Sequence, residues 1–238
     1  METFSETDIV ILCGGLGTRL RKTIGEKQKT MAEISGRPFL DILLDYIAAR
    51  GGKRAILCAG YHADDVEKYF ESRKDLGIAI SNEDEPLGTG GALKNAAALV
   101  HSQNFIAMNG DCFCPVDYQG LLDFHLSRNA LATLTVSVMK GVSDYGTIRV
   151  DEQGRISAFE EKAPGGEGLV NVGVYCFRKE ILEIMPSGPF SIERDFFPAI
   201  TGRGMFAFVT QQEFLDIGTP QRLKEAAEKI QQLKGKTL

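Results

Sequence analysis

Residues 8–17 read DIVILCGGLG, an unbroken apolar run from Ile9 to Cys13 that opens directly onto Gly14, Gly15, Leu16 and Gly17. A short run without polar alternation, closed by glycines, is the pattern of a strand buried on both faces, as in a parallel sheet. The next segment supports that reading. From Pro38 to Arg50, Phe39, Leu43, Tyr46 and Ile47 recur at helical spacing, with Pro38 suited to the first turn and Gly51-Gly52 to the stop. Arg54 to Ala59, Ile78 to Ser81 and Phe105 to Met108 are further short apolar runs. They are separated by a helical segment around Val66, Tyr69 and Phe70, by a loop over 83–91, and by an Ala-rich helix from Ala92 to Val100. Strands alternating with helices predict an α/β fold, a mostly parallel sheet flanked by helices.

The second half changes character. Leu131 to Val138, Gly146 to Val150, Arg155 to Glu160, Leu169 to Phe177 and Met205 to Val209 read as strands, with a turn over 151–154 and a short helix over Glu193 to Phe197. Pro220 to Leu233 closes the chain as an amphipathic helix. There is no repeat and no Pro- or Ser-rich linker. The expectation is a single domain of 238 residues: a core over about 8–130, a β-rich insert over about 131–213, and a closing segment over 214–238.

Composition excludes several classes. The apolar share of 43% and charged share of 25% are those of a globular protein, and no apolar run is long enough to span a bilayer. The acidic N-terminus has no signal-peptide pattern, so a cytoplasmic location is expected. The five cysteines include Cys112-Phe113-Cys114, whose spacing fits neither a redox pair nor a zinc knuckle, and the three histidines are scattered. A net charge of −5 argues against a nucleic-acid binder. Within this acidic chain, Arg19, Arg21, Lys22, Lys27 and Lys29 stand against Glu26 alone. Such a basic loop suits a small polyanion, or is simply a solvated loop.

Three stretches fall where open parallel sheets bind ligands, at the carboxyl ends of strands. Gly14-Gly15-Leu16-Gly17-Thr18-Arg19 lets backbone N–H groups approach phosphate oxygens, with Arg19 as a forked cation; alone it also reads as a tight turn. It is not a Walker A loop, and the third glycine of a dinucleotide fingerprint is missing, which disfavours an oxidoreductase. Asn109-Gly110-Asp111 could offer a carboxylate to a ligand-bound Mg²⁺, or be a turn. Asp216, in FLDIGTP (214–220), precedes a helix start with Thr219 as cap and Pro220 at the first helical position.

Together, LCGGLGTRLR (12–21), QKTM (28–31), EPLGTGGAL (85–93), Asn109-Gly110-Asp111 and FLDIGTP resemble the sugar-1-phosphate nucleotidyltransferases, from about Ile9 to the closing helix. Within them the chain is most similar to the D-glycero-α-D-manno-heptose 1-phosphate guanylyltransferases, with mannose-1-phosphate guanylyltransferases close behind. The resemblance implies a Rossmann-like, GT-A-like nucleotidyltransferase fold and a cytoplasmic enzyme that takes GTP, Mg²⁺ and a sugar 1-phosphate to GDP-sugar and pyrophosphate. It admits a homodimer and implies neither a nucleic-acid nor a membrane partner. A non-catalytic sugar-nucleotide-binding subunit is the alternative of another class. The resemblance further implies that Leu12, Gly14, Gly15, Gly17, Thr18 and Asn109 surround the nucleotide, with Leu87, Gly88 and Thr89 towards the base. It makes Arg19, Lys29 and Asp111 catalytic and Asp111 and Asp216 the metal ligands. Tyr145, Gly146, Glu161, Lys162, Asn171 and Gly173 would hold the sugar phosphate. Thr30 and Glu33 stand where relatives commonly have proline, so Lys29 is expected to be less firmly pre-positioned.

Overall fold

The computed structural model describes residues 2–234 apart from 16–19, 21–23, 26, 61, 141–145 and 161–166. Its strands are β1 Asp8–Leu12, β2 Glu33–Ile34, β3 Arg37–Pro38, β4 Arg54–Ala59, β5 Gly77–Asn82, β6 Asn104–Asn109 and β7 Cys112–Phe113. They continue as β8 Ala132–Lys140, β9 Thr147–Val150, β10 Ile156–Glu160, β11 Glu167–Arg178, β12 Met205–Thr210 and β13 Leu215–Asp216. The main helices are α1 Phe39–Ala49, α2 Ala63–Phe70, α3 Gly88–Asn95, α4 Tyr118–Ser127 and α5 Pro220–Lys234.

Parallel pairing runs β6–β1–β4–β5, with Leu12 opposite both Cys58 and Asn109, so the carboxyl ends of the central strands lie level. The apolar run that opens the chain is buried on both faces: Ile9 and Ile11 enter one core with α1 and α4, and Val10 enters the other with α3. Two-sided burial explains why the run has no polar alternation. The β-rich part does not form a sheet of its own. β11 runs antiparallel to β6 through its second half and to β9 through its first, with β8 along its other edge and β12 parallel to β8. Arg155 also bridges to Phe206, which curls this ribbon back on itself.

Three differences from the sequence reading have local causes. Pro38 is the residue before α1, not within its first turn, because Arg37–Pro38 pairs with Glu33–Ile34. Helix α3 begins at Gly88 rather than Ala92, because the Phe190 carbonyl accepts the N–H groups of Gly90 (3.0 Å) and Gly91 (3.4 Å) at the helix start. Helix α4 has no counterpart in the sequence reading. Asp117 caps it by accepting from Gly120 N–H (3.0 Å), and its buried stripe includes a polar residue, His125, which obscures the apolar periodicity.

His125 packs among apolar side chains with its Nδ1 2.9 Å from Thr133 Oγ1 and its Nε2 3.2 Å from Asn104 Oδ1. Burial, and secondarily Arg178, pushes its pKa down to about 4. The unfolded chain therefore takes up a proton that the folded chain refuses. That stability is intact above the ordinary histidine range, near 6.5, and is lost as pH falls towards 4. The expected loss is on the order of 3 kcal/mol. Melting temperatures of wild type and His125→Gln between pH 7 and 4 should converge, and parallel curves would remove His125 from acid denaturation. Among the described residues no helix is long and apolar enough to cross a membrane.

Candidate active site

The glycines after β1 and the turn after β6 meet because Gly110 N–H bonds to the Leu12 carbonyl (2.9 Å). Opposite them, Glu83 continues from β5, its N–H on the Ala59 carbonyl (2.9 Å). Between these edges lies a cleft of ≈ 350 Å³. Of the residues singled out from sequence, Leu12, Gly14, Gly15, Lys29, Gly88, Thr89, Asn109 and Asp111 line it. Leu87 bonds to the rim instead, its N–H on Glu83 Oε2 (3.2 Å). Gly17, Thr18, Arg19, Tyr145, Glu161 and Lys162 lie outside the described residues.

Lys29 begins a tight turn, Lys29–Met31, that is held from below. Gln28, which is buried, donates its Nε2 to the Cys13 carbonyl at 2.6 Å, and Ala32 accepts the N–H of Phe39 (2.9 Å). Gln28 thus gives the turn an anchor where relatives commonly have proline. Thr30 is buried beside Gln28, and Glu33 pairs with Lys27 at 2.6 Å. The Lys29 side chain is 12% exposed and forms an ion pair with Asp111 Oδ2.

Asp111 and Asp216 are brought together by a two-stranded ladder. Asp216 pairs with Cys112, and Ile217 N–H bonds to the Asp111 carbonyl (3.0 Å). Burial first, then the nearby charges of Asp111 and Asp216, holds the Cys112 thiol well above its ordinary range, so both carboxylates act on one sulfur. Asp216 accepts from Gly218 N–H (2.8 Å) and from Arg222. Among the described residues no group of three or more His, Cys, Asp or Glu is placed to hold a metal ion. Two carboxylates on adjoining strand ends, of which Asp111 lines the cleft, match the one or two that Mg²⁺ takes when phosphate and water complete its shell. Asn109 Oδ1, buried at the same strand end without a partner, is a further acceptor that a ligand could satisfy.

Asn171 and Gly173, expected from the resemblance to hold the sugar phosphate, lie on β11. Gly173 has φ +74° at the irregularity of the β8–β11 pairing, and a Cβ there would fall 2.9 Å from Asn109 Nδ2. Only glycine allows both the backbone turn and this approach. Asn171 accepts Gly173 N–H through its side-chain oxygen (2.9 Å) and donates to the Tyr175 hydroxyl (2.9 Å). Gly146 is exposed immediately before β9.

Two site residues escape the sequence reading. Glu83 is half-buried in the cleft, its Oε1 unpartnered, and burial raises its pKa although Leu87 N–H opposes the shift. A Cβ on Gly14 would lie 2.8 Å from that oxygen, so the carboxylate rests directly on the glycine. Its only signal was an acid directly after a strand end, within Glu83-Asp84-Glu85. Glu193 joins the two sides of the site. Thr89 Oγ1 donates to it at 2.6 Å, the Ser191 hydroxyl at 3.0 Å and the Tyr175 hydroxyl at 3.4 Å. Thr89 lines the cleft, and its hydroxyl also accepts Ile192 N–H (2.9 Å), locking α3 to this turn.

The sequence profile of the nucleotidyl transferase family matches residues 8–233. The chain is 37% identical over 227 residues to the D-glycero-α-D-manno-heptose 1-phosphate guanylyltransferase of Aneurinibacillus thermoaerophilus, covering 94% of this chain and 98% of that protein. It is 35% identical over 223 residues to the mannose-1-phosphate guanylyltransferase of Mycobacterium tuberculosis, covering 91% of this chain and 62% of that one. Among solved structures it resembles HddC from Yersinia pseudotuberculosis complexed with GMP-PN. The TM-score is 0.84 and the identity 38%, over 94% of this chain and 99% of that chain.

Proposed function

The chain belongs to the nucleotidyl transferase family, and from that premise we propose that it transfers the guanylyl group of GTP to D-glycero-α-D-manno-heptose 1-phosphate. The products are GDP-heptose and pyrophosphate. The observation that carries the choice of base is Glu83. The side chain lines the cleft, and its Oε1 is buried there without a hydrogen-bond partner, an acceptor that a base turned towards it would satisfy. A carboxylate is an acceptor only, and guanine alone among the common bases presents two adjacent donors, N1–H and the 2-amino group, to match it.

The reaction needs no general base. A sugar 1-phosphate has its second pKa near 6, so about nine-tenths of it is dianionic at neutral pH. One of its oxygens bonds to the α-phosphorus of GTP as the bond from that phosphorus to the β-phosphate oxygen breaks in line. The barrier lies in bringing anions together. Gly14 and Gly15 leave their amides open to the triphosphate, and Lys29 stands beside Asp111 to meet negative charge. Arg19 is assigned to the departing phosphates, and Glu161 and Lys162 to the acceptor. Asp111 and Asp216 would hold Mg²⁺, which supplies charge neutralisation across the phosphates. Gly173, close against Asn109, and Asn171, which accepts its N–H, would set the acceptor beside the nucleotide. A cytoplasmic location is part of this reading.

A matrix of the four nucleoside triphosphates against heptose, mannose and glucose 1-phosphates, read by pyrophosphate release, tests the proposal. GTP with the heptose phosphate should give the highest kcat/KM. GTP binding without pyrophosphate release from any pairing would replace the enzyme by a non-catalytic sugar-nucleotide-binding subunit.

A further inference from the structure

Helix α5 starts with an arginine where the chemistry of helix ends asks for something else. Thr219 caps it: its hydroxyl accepts Arg222 N–H (3.3 Å) and its carbonyl accepts Leu223 N–H (2.9 Å). Arg222 is therefore the third helical residue, the place where Glu or Gln reaches back to complete a capping box. The first turn holds no acid at all, and a cation there opposes the helix dipole. A side chain that breaks a local rule points to a contact elsewhere. Arg222 Nη1 lies 3.0 Å from Asp216 Oδ2 and 3.3 Å from Oδ1. The Asp216 side chain is 14% exposed and that of Arg222 33%, so the pair is partly shielded from water. Lys29 is bound in the same way to Asp111, so each of the two acids already carries a cation.

We propose that Arg222 is a built-in competitor for the metal site: it holds Asp216 in the nucleotide-free protein and yields it only when a divalent ion arrives with the triphosphate. This rests on the reading of Asp111 and Asp216 as metal ligands. The electrostatics set the order. A bare divalent ion entering a carboxylate pair already matched by two cations leaves two positive charges uncompensated at short range. The same ion carried by GTP brings its own negative charge, and the displaced guanidinium then faces phosphate oxygens, for which its fork is suited. Arg222 thereby biases the protein towards binding metal and nucleotide together.

The probe is Mn²⁺ alone, titrated into the nucleotide-free full chain and followed by electron paramagnetic resonance and by the rise in melting temperature. Arg222→Gln removes the charge yet keeps a capping-box side chain for Thr219, so the helix start is retained. Its Mn²⁺ dissociation constant should fall roughly five- to tenfold, with a larger Mn²⁺-dependent rise in melting temperature than wild type. Arg222→Lys, which keeps the charge but loses the fork, should fall between the two. If Arg222→Gln binds Mn²⁺ as wild type does while Asp216→Asn loses binding, Arg222 is not the competitor and the metal site stands. If Asp216→Asn also binds Mn²⁺ normally, the metal-ligand reading fails and takes this one with it.

Discussion

Asp111→Asn is expected to lower kcat by roughly 10²–10³-fold, because on the reading of Asp111 as a metal ligand it weakens the charge stabilisation of a preorganised site, an effect of about the size of a lost oxyanion-hole donor. The fold should survive. The ladder that carries Asp111 is made by backbone groups, Ile217 N–H to the Asp111 carbonyl, and asparagine has nearly the same volume. One side effect is predictable in sign. Lys29 is 12% exposed and pairs with the Asp111 carboxylate, so the substitution leaves a largely buried ammonium without its anion. Removing one partner of a buried pair destabilises more than the pair itself contributed. The melting temperature should therefore drop modestly, and Lys29→Met in the same chain should restore part of it without restoring turnover. Pyrophosphate release at saturating GTP, read beside a thermal melt, separates the two effects. Turnover within threefold of wild type would take Asp111 out of the reaction.

How much of this was legible beforehand depended on how locally each feature is determined. Strand β1 is specified by its own residues, since two-sided burial demands an unbroken apolar run, and it was readable directly. The glycine turn, Asn109-Gly110-Asp111 and Asp216 stand out as candidates because they are glycines and acids expected at strand ends, whereas Lys29 was singled out only by the family resemblance. Features fixed across the chain were not. The start of α3 is set by the Phe190 carbonyl, about a hundred residues away in sequence, and no local pattern announces it. β7 and β13 are two-residue strands whose pairing exists only in the folded molecule, yet they make neighbours of Asp111 and Asp216. Glu193 sits in a turn that reads as an ordinary polar helix start, and its role comes from receiving the hydroxyls of Thr89 and Tyr175. α4 was hidden because His125 occupies its buried face, where an apolar residue is the usual signal.

Glu83 shows the same limit from the functional side, and its substitution is the sharper test. Glu83→Gln should reduce kcat/KM for GTP by about 10²–10³-fold, on the basis of two charge-assisted hydrogen bonds at roughly 1.5–3 kcal/mol each, partly replaced. Glutamine retains one acceptor but turns its amide donors towards the donors of guanine, so the loss exceeds that of a missing charge. The same substitution should stabilise the free protein. Burial raises the Glu83 pKa, so the folded chain holds this proton more tightly than the unfolded chain does. At neutral pH the ionised carboxylate is consequently a destabilising group, and the penalty disappears as pH falls through the raised value. Glutamine removes it at every pH. The melting temperature of Glu83→Gln should thus exceed wild type at pH 8, and the gap should narrow towards acid. Nucleotide binding should move the opposite way in wild type: protonation turns one acceptor oxygen into a donor, so KM for GTP climbs as pH drops through that range, while the variant stays flat. A variant that gains stability and keeps its GTP selectivity would show that this carboxylate faces the cleft without reading the base. A variant that loses both would show that Glu83 holds the loop before α3 through Leu87 N–H. Only a gain in stability coupled to a loss of guanine preference fits a desolvated carboxylate kept at the cleft for its ligand.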